Sequence, residues 1–295
     1  MSLAERLRHG PPILCDGGLG TMLLARGLPR GAPPERLTLE RPAEVESVHR
    51  AYVAAGSEAV HTNTFGGSAV RLACFGLEGR VGELNRGAVA LARAARARFV
   101  LGDVGPTGER LPPFGHADAA RWRASFLEQG RALAAAGVDA FHVESMTDVR
   151  EALVALGALR DAAPEVPVLV SLALARRDDG FYTLGGDPLA GALAALEQAG
   201  ADAVGANCAL TSADMGAFVV AARAAVKVPL VLQPCAGQPE ARSDGTFAYA
   251  ESPETFAADL STLAPGDARL GALGGCCGTD PCFIAALARR LGRGG

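Results

Sequence analysis

Lysine is almost missing from this 295-residue chain: Lys227 is the only one, and arginine supplies the rest of the 28 basic residues. No basic cluster forms, and the formal net charge is only −4. Nucleic acid is therefore excluded as an expected partner, because phosphate binding needs a concentrated positive field. No window of about 18 uncharged apolar residues occurs, so no membrane-spanning helix is expected. The opening Met1-Ser2-Leu3-Ala4-Glu5-Arg6 lacks the basic-then-apolar order of a secretory signal. The expected compartment is the reducing cytoplasm. There the seven cysteines, odd in number and unevenly spaced, read as thiols or metal ligands rather than a disulfide framework.

What is present is apolar and periodic. Hydrophobic residues make up 49% of the chain, enough for a large core. Short apolar runs alternate with longer amphipathic ones. The expected strands are Ile13–Cys15, Ala59–Asn63, Phe99–Asp103, Ala140–Glu144, Val168–Leu172, Ala203–Cys208, Leu230–Gln233 and Leu270–Leu273. The expected helices are Ala43–Ala55, Val81–Arg98, Ala119–Ala136, Val149–Asp161, Pro188–Gln198, Ala213–Val226, Pro253–Thr262 and Pro281–Leu291. Several open on a cap followed by proline, as in Ser252-Pro253 and Asp280-Pro281. Eight strand–helix units fit a single α/β (β/α)8 TIM barrel spanning 1–295. A doubly wound sheet is the competitor, but Asp16-Gly17-Gly18-Leu19-Gly20 lacks the spacing of its phosphate-binding fingerprint. The long irregular stretches Gly27–Arg41, Gly105–Asp118 and Cys235–Glu251 all follow strands, where barrel enzymes build their sites.

Chemistry-bearing residues collect at the strand ends. Asp16, Asn63, Asp103, Glu144, Cys208, Cys235 and the adjacent pair Cys276-Cys277 all end apolar runs. Neighbouring side chains on a regular strand point to opposite faces, so Cys276 and Cys277 share one metal only where the backbone turns sharply. Gly274, Gly275 and Gly278 permit such a turn. Cys208 with the pair makes three thiolates, which suits a zinc site with an open position. Other features have ordinary readings. Cys15 and Cys74 read as small buried hydrophobes. Asp16 is equally readable as a turn cap. His61 and His142 lie within strands and read as satisfied core histidines. Glu144 follows Phe141-His142-Val143, and its near-buried carboxylate needs a partner, for which a ligand ammonium is the candidate.

At these residues the chain resembles the homocysteine S-methyltransferases. The resemblance runs through Asp16-Gly17-Gly18-Leu19-Gly20-Thr21, Thr62-Asn63-Thr64-Phe65-Gly66-Gly67, Gly102-Asp103-Val104-Gly105-Pro106-Thr107-Gly108, Val143-Glu144-Ser145, Gly205-Ala206-Asn207-Cys208 and Gly274-Gly275-Cys276-Cys277-Gly278-Thr279. It implies a catalytic Zn2+ held by Cys208, Cys276 and Cys277. It also implies that Asp16 and Glu144 hold the homocysteine amino group, with the backbone near Gly17 assisting and Asn63 as a further substrate contact. The product that the resemblance implies is methionine. The donor stays open between betaine, S-methylmethionine or a similar small molecule and a methyl-carrier protein, as does assembly into a homo-oligomer. Trp122, Tyr52, Tyr182 and Tyr249 are the candidates for an aromatic cage around an onium donor, although aromatics make up only 5% of the chain.

The chain leaves the family pattern once. Family members often carry Pro-Asn-Ala-Gly after the seventh strand; here the stretch is Pro234-Cys235-Ala236-Gly237. Cys235 reads as a neutral replacement, a fourth thiolate ligand or a sign of altered donor recognition. The neutral, non-ligand reading is preferred here, because a closed resting site offers a methyltransferase no obvious gain. Two rival functions remain: a zinc-binding barrel without methyl transfer, used for sensing, storage or partner binding, and a barrel lyase or isomerase using Asp16 and Glu144.

Overall fold

Eight parallel strands close into a ring in a computed structural model, which describes residues 1–241, 247–264 and 269–293. The strands are β1 (Ile13–Leu14), β2 (Ala59–His61), β3 (Phe99–Val104), β4 (Ala140–Met146), β5 (Val168–Leu172), β6 (Ala203–Thr211), β7 (Leu230–Cys235) and β8 (Leu270–Leu273). Each pairs with its sequence neighbour, and β1 pairs with β8 through Ile13↔Ala272 and Leu14↔Leu273. A Cys15↔Ala59 bridge and the Glu58 N–H donated to Leu14 O complete the ring between β1 and β2. This is a TIM barrel, as the alternation of elements predicts.

The outer layer is α1 (Pro42–Ala54), α2 (Val81–Ala94), α3 (Ala119–Ala135), α4 (Val149–Ala162), α5 (Leu189–Gln198), α6 (Met215–Ala225), α7 (Pro253–Ser261) and α8 (Pro281–Arg290). Asp118, Asp148, Ser252 and Asp280 cap α3, α4, α7 and α8 with side-chain oxygens that accept from backbone N–H groups of the first turn. α2 stops short of the expected Arg98, because Arg96 takes φ +63° and turns the chain into β3.

Two hydrophobic shells hold the barrel. One lies between strands and helices. The other fills the lower interior, where Ile13, Ala59, Leu101, Leu169 and Val231 meet Leu3 and Leu7 of a helix at Leu3–His9. That helix was not anticipated. It plugs the bottom of the barrel, and full burial of one such leucine contributes roughly 1.5–3 kcal/mol. Above this layer the inward positions turn polar.

The irregular stretches contain more order than expected. Short helices occupy Pro34–Arg36 and Leu37–Glu40, and a hairpin joins Pro239–Ala241 to Phe247–Tyr249. A second hairpin, Leu174–Arg177 with Gly180–Thr183, follows β5. Cys74 corrects its expected burial: it is the exposed C-cap of a short helix, Ala69–Ala73. Cys15 is buried, as expected.

Candidate active site

The upper ends of β6, β7 and β8 bring four sulfurs together. Cys208 Sγ lies 3.7 Å from Cys235 Sγ and 3.9 Å from Cys277 Sγ. All four sulfurs, including Cys276, lie within 4.8 Å of one another. Each cysteine reaches this point by a distinct local device. β6 bulges at its end, where Cys208 and Ala209 take φ +56° and +57°. Non-glycine residues pay for this conformation with strain, a feature that concentrates at functional sites. After β8 the chain is zipped between two neighbours. Gly275 N–H donates to Asp16 O at 3.0 Å, Cys276 N–H to Pro234 O at 2.9 Å, and Ala236 N–H to Cys277 O at 3.0 Å. Gly278 then turns with φ +80°, and a Cβ there would collide with the Tyr249 ring. The pair faces one point because these bonds fix its backbone on both sides.

The sulfurs fit a tetrahedral zinc ion. Bonds of about 2.3 Å to zinc imply S···S edges of about 3.8 Å, close to the two distances above. The electrostatics agree. Hydrogen bonds from the thiols of Cys235, Cys276 and Cys277 hold Cys208 as the thiolate, and donating to Cys208 in turn pushes the Cys235 and Cys276 thiols far up. Asn207 supports the group from below, donating from Nδ2 to Cys276 Sγ at 3.7 Å while Ser145 N–H donates to its Oδ1 at 2.7 Å.

His61, His142 and Glu144 also bring ligand atoms within 4.8 Å of one another. Their nitrogens are occupied otherwise. His61 Nδ1 pairs with Asp16 Oδ1 at 2.6 Å, His61 Nε2 with His142 Nδ1 at 2.8 Å, and His142 Nε2 with Ser171 Oγ at 2.8 Å. A proton shared at 2.8 Å uses the lone pair a metal would need. The histidines are the satisfied core residues expected from the sequence, and the four cysteine sulfurs are the softer, better match for zinc.

Beside the sulfurs lies a cavity of about 290 Å³, lined by Gly17, Asn63, Asp103, Glu144, Cys208, Cys276 and Cys277 among others. Three carboxyl groups face it. Burial pushes Glu144 up to about 7, opposed by His61 and reinforced by Cys208 and Asp16. Burial, then the charges of Glu144, Asp16 and Glu35, raises Asp103 well above the carboxylate range. Burial likewise raises Glu35. Asp103 Oδ1 is buried with no hydrogen-bond partner among the described residues. The cavity gathers three carboxyl groups, one with a buried oxygen left without a hydrogen-bond partner among the described residues, which fits an ammonium group.

The sequence-derived site residues separate into two groups. Glu144, Gly17 and the three expected ligands line the cavity. Asn63 lines it too, but its Nδ2 is committed to Pro34 O at 2.8 Å and Thr38 Oγ1 at 3.2 Å. Asp16 is fully buried behind His61, which holds both carboxylate oxygens through its backbone N–H and its ring. Asp103 and Glu35 were not assigned to the substrate. Asp103 was visible as a strand end, whereas Glu35 sits in a loop whose docking no local pattern reveals.

The aromatic candidates do not form a cage. Tyr52 is buried and donates to Thr279 O, and Trp122 is buried against Glu109. Tyr182 stacks under the Arg177 guanidinium at 4.5 Å. Tyr249 packs on Gly278, and Phe65 is the aromatic residue that lines the cavity.

Residues 13–291 match the sequence model described as homocysteine S-methyltransferase, and the chain belongs to that family. It is 33% identical to the methionine synthase of Mycobacterium tuberculosis (strain ATCC 25618 / H37Rv) and 32% identical to that of Mycobacterium leprae (strain TN), over 97% and 99% of its own length. It spans 25% of the length of each of those relatives. Among solved structures it is similar to the homocysteine methyltransferase MmuM from Escherichia coli. For the metallated form the TM-score is 0.78 at 26% identity, covering 95% of this chain and 96% of that one. For the apo form the TM-score is 0.74 at 26% identity, covering 97% and 99%. Among the described residues no helix is long and apolar enough to cross a membrane.

Proposed function

We propose that this chain transfers a methyl group from an activated donor to the sulfur of homocysteine, giving methionine, at a zinc ion held by Cys208, Cys276 and Cys277. The observation that carries the reading is the junction of two unlike surfaces in one cavity. Cysteine sulfurs lie at one side, and buried carboxyl groups lie at the other. A short amino acid with a thiol at its far end satisfies both.

Bound zinc would keep the substrate sulfur ionised at neutral pH, where a free thiol with a pKa of about 8.5 is largely protonated. The remaining work falls to the protein. Glu144 and Asp103 hold the ammonium group and so orient the sulfur toward the ligands. Asp16 acts through His61, fixing the ring that forms the cavity floor. Asn207 orients Cys276 and withdraws charge from its sulfur. An onium donor leaves as a neutral molecule, so no side chain has to supply a proton to it. The cavity walls exclude water and align donor with acceptor.

The rival acid–base reading fits less well, because Asp16 does not reach the cavity and both its oxygens are engaged. A zinc barrel without turnover leaves the adjoining acidic cavity unused. The test supplies zinc-loaded protein with homocysteine and, in turn, betaine, S-methylmethionine and a methylated carrier protein. Methionine formed with any of them supports the reading. Failure of homocysteine to bind the zinc-loaded protein would overturn it.

A further inference from the structure

The three expected ligands leave unexplained a fourth sulfur that stands as close to them as they stand to each other. We infer that in the substrate-free protein Cys235 is the fourth zinc ligand, and that homocysteine takes its place. The inference rests on the methyltransferase reading only in naming the thiol that displaces it.

Three observations carry it. Cys235 Sγ is 3.7 Å from Cys208 Sγ and within 4.8 Å of the sulfurs of Cys276 and Cys277, so it completes a four-sulfur group rather than touching a single neighbour. Its strand lies between those of Cys208 and the cysteine pair. Its own backbone is clamped: Pro234 O accepts from Cys276 N–H, and Ala236 N–H donates to Cys277 O. With both flanking residues bonded to the pair, the Cys235 backbone is held beside the ligand loop, and its sulfur leaves the group only by turning about its own side-chain bonds. The 3.7 Å separation is also that of a thiol donating to a thiolate. A bystander thiol, however, needs contact with one acceptor, whereas this one is near three.

This placement reverses the expectation that Cys235 stays outside the ligand set. Homocysteine enters by exchange. Its sulfur replaces that of Cys235, its thiol proton passes to the departing Cys235 sulfur, and the sulfur count and total charge around the metal stay unchanged. The released Cys235 thiol remains beside Cys208 and can return when methionine, a poorer ligand as a neutral thioether, departs. The resting site is thereby closed to water and to foreign thiols until homocysteine, anchored by its ammonium group, displaces the cysteine.

The test is zinc-edge X-ray absorption of the zinc-loaded full chain and of its Cys235→Asn and Cys235→Ser variants, first without substrate. Four sulfurs in the wild type, falling to three plus one lighter atom in a folded variant, is the expected result. Three sulfurs in both would overturn the inference. The second arm adds selenohomocysteine to the wild type. Three sulfurs and one selenium are expected, and four sulfurs plus selenium would refute the exchange. Absence of any zinc–selenium contact would count against the methyltransferase reading, while the substrate-free sulfur count would still decide the position of Cys235.

Discussion

His61 Nδ1 lies 2.6 Å from Asp16 Oδ1, and the pair is buried directly beneath the cavity. Burial on its own would lower the His61 pKa, but the charge and hydrogen bond of Asp16, helped by Glu144, raise it above the ordinary histidine value. A group raised in the folded state stabilises fully below its unfolded pKa, near 6.5, and loses that contribution as pH rises through the folded value. Asp16→Asn is therefore expected to cost more stability at pH 6 than at pH 9. Denaturation at both pH values checks this, and equal losses would contradict the assigned pairing. NMR titration of His61 in the variant should show the upward shift removed.

Cys277→Ala is expected to remove zinc together with activity. Metal content should fall from about one ion per chain to a small fraction, with the barrel's circular dichroism unchanged, since the turn at Gly274–Gly278 is held by backbone bonds rather than by the thiol. A variant that keeps full activity would disprove the ligand assignment.

Glu144→Gln should weaken homocysteine binding by about ten- to a hundredfold, the worth of one hydrogen bond to a charged group, with zinc content near normal. In the wild type, affinity should fall as pH drops below about 7, because Glu144 ionises there. The glutamine variant should lose most of that pH dependence. Calorimetry between pH 5.5 and 8 tests both statements, and loss of zinc with unchanged affinity would assign Glu144 to the metal shell instead.

Asn207→Ala removes the donor to Cys276 Sγ and leaves Ser145 N–H without its acceptor. Outer-shell partners of metal ligands are typically worth 10–100-fold in metal affinity or activity. Competition with a zinc chelator should show a loss of that size, whereas an unchanged zinc affinity would make Asn207 a purely structural residue.

Gly278→Ala places a Cβ at φ +80° and into the Tyr249 ring. A cost of about 1–2 kcal/mol is expected from the backbone alone, with the collision adding to it. Chemical denaturation should report this, and Tyr249→Ala in the same chain should recover the steric part. No recovery would mean that backbone conformation dominates.

The barrel was legible in the sequence, and so was the clustering of cysteines and acidic residues at its strand ends. Strand alternation, helix caps and the placement of polar residues at strand ends are local signals, legible one element at a time. The cysteine pair bracketed by glycines carried its own chemical argument, and so did the buried position of Glu144. Tertiary structure decided the rest, because the remaining relations span distant segments. The 3.7 Å contact between Cys208 and Cys235 depends on how β6 bulges and how β7 registers against the chain leaving β8. Asp16 turns away from the cavity because His61, 45 residues later, binds both its oxygens. Glu35 joins the site because its loop folds back so that Gly66 N–H donates to its Oε1. Leu3 and Leu7 show no strand or barrel signal, yet they fill the bottom of the ring, since closing eight strands leaves an interior that must be packed with apolar side chains.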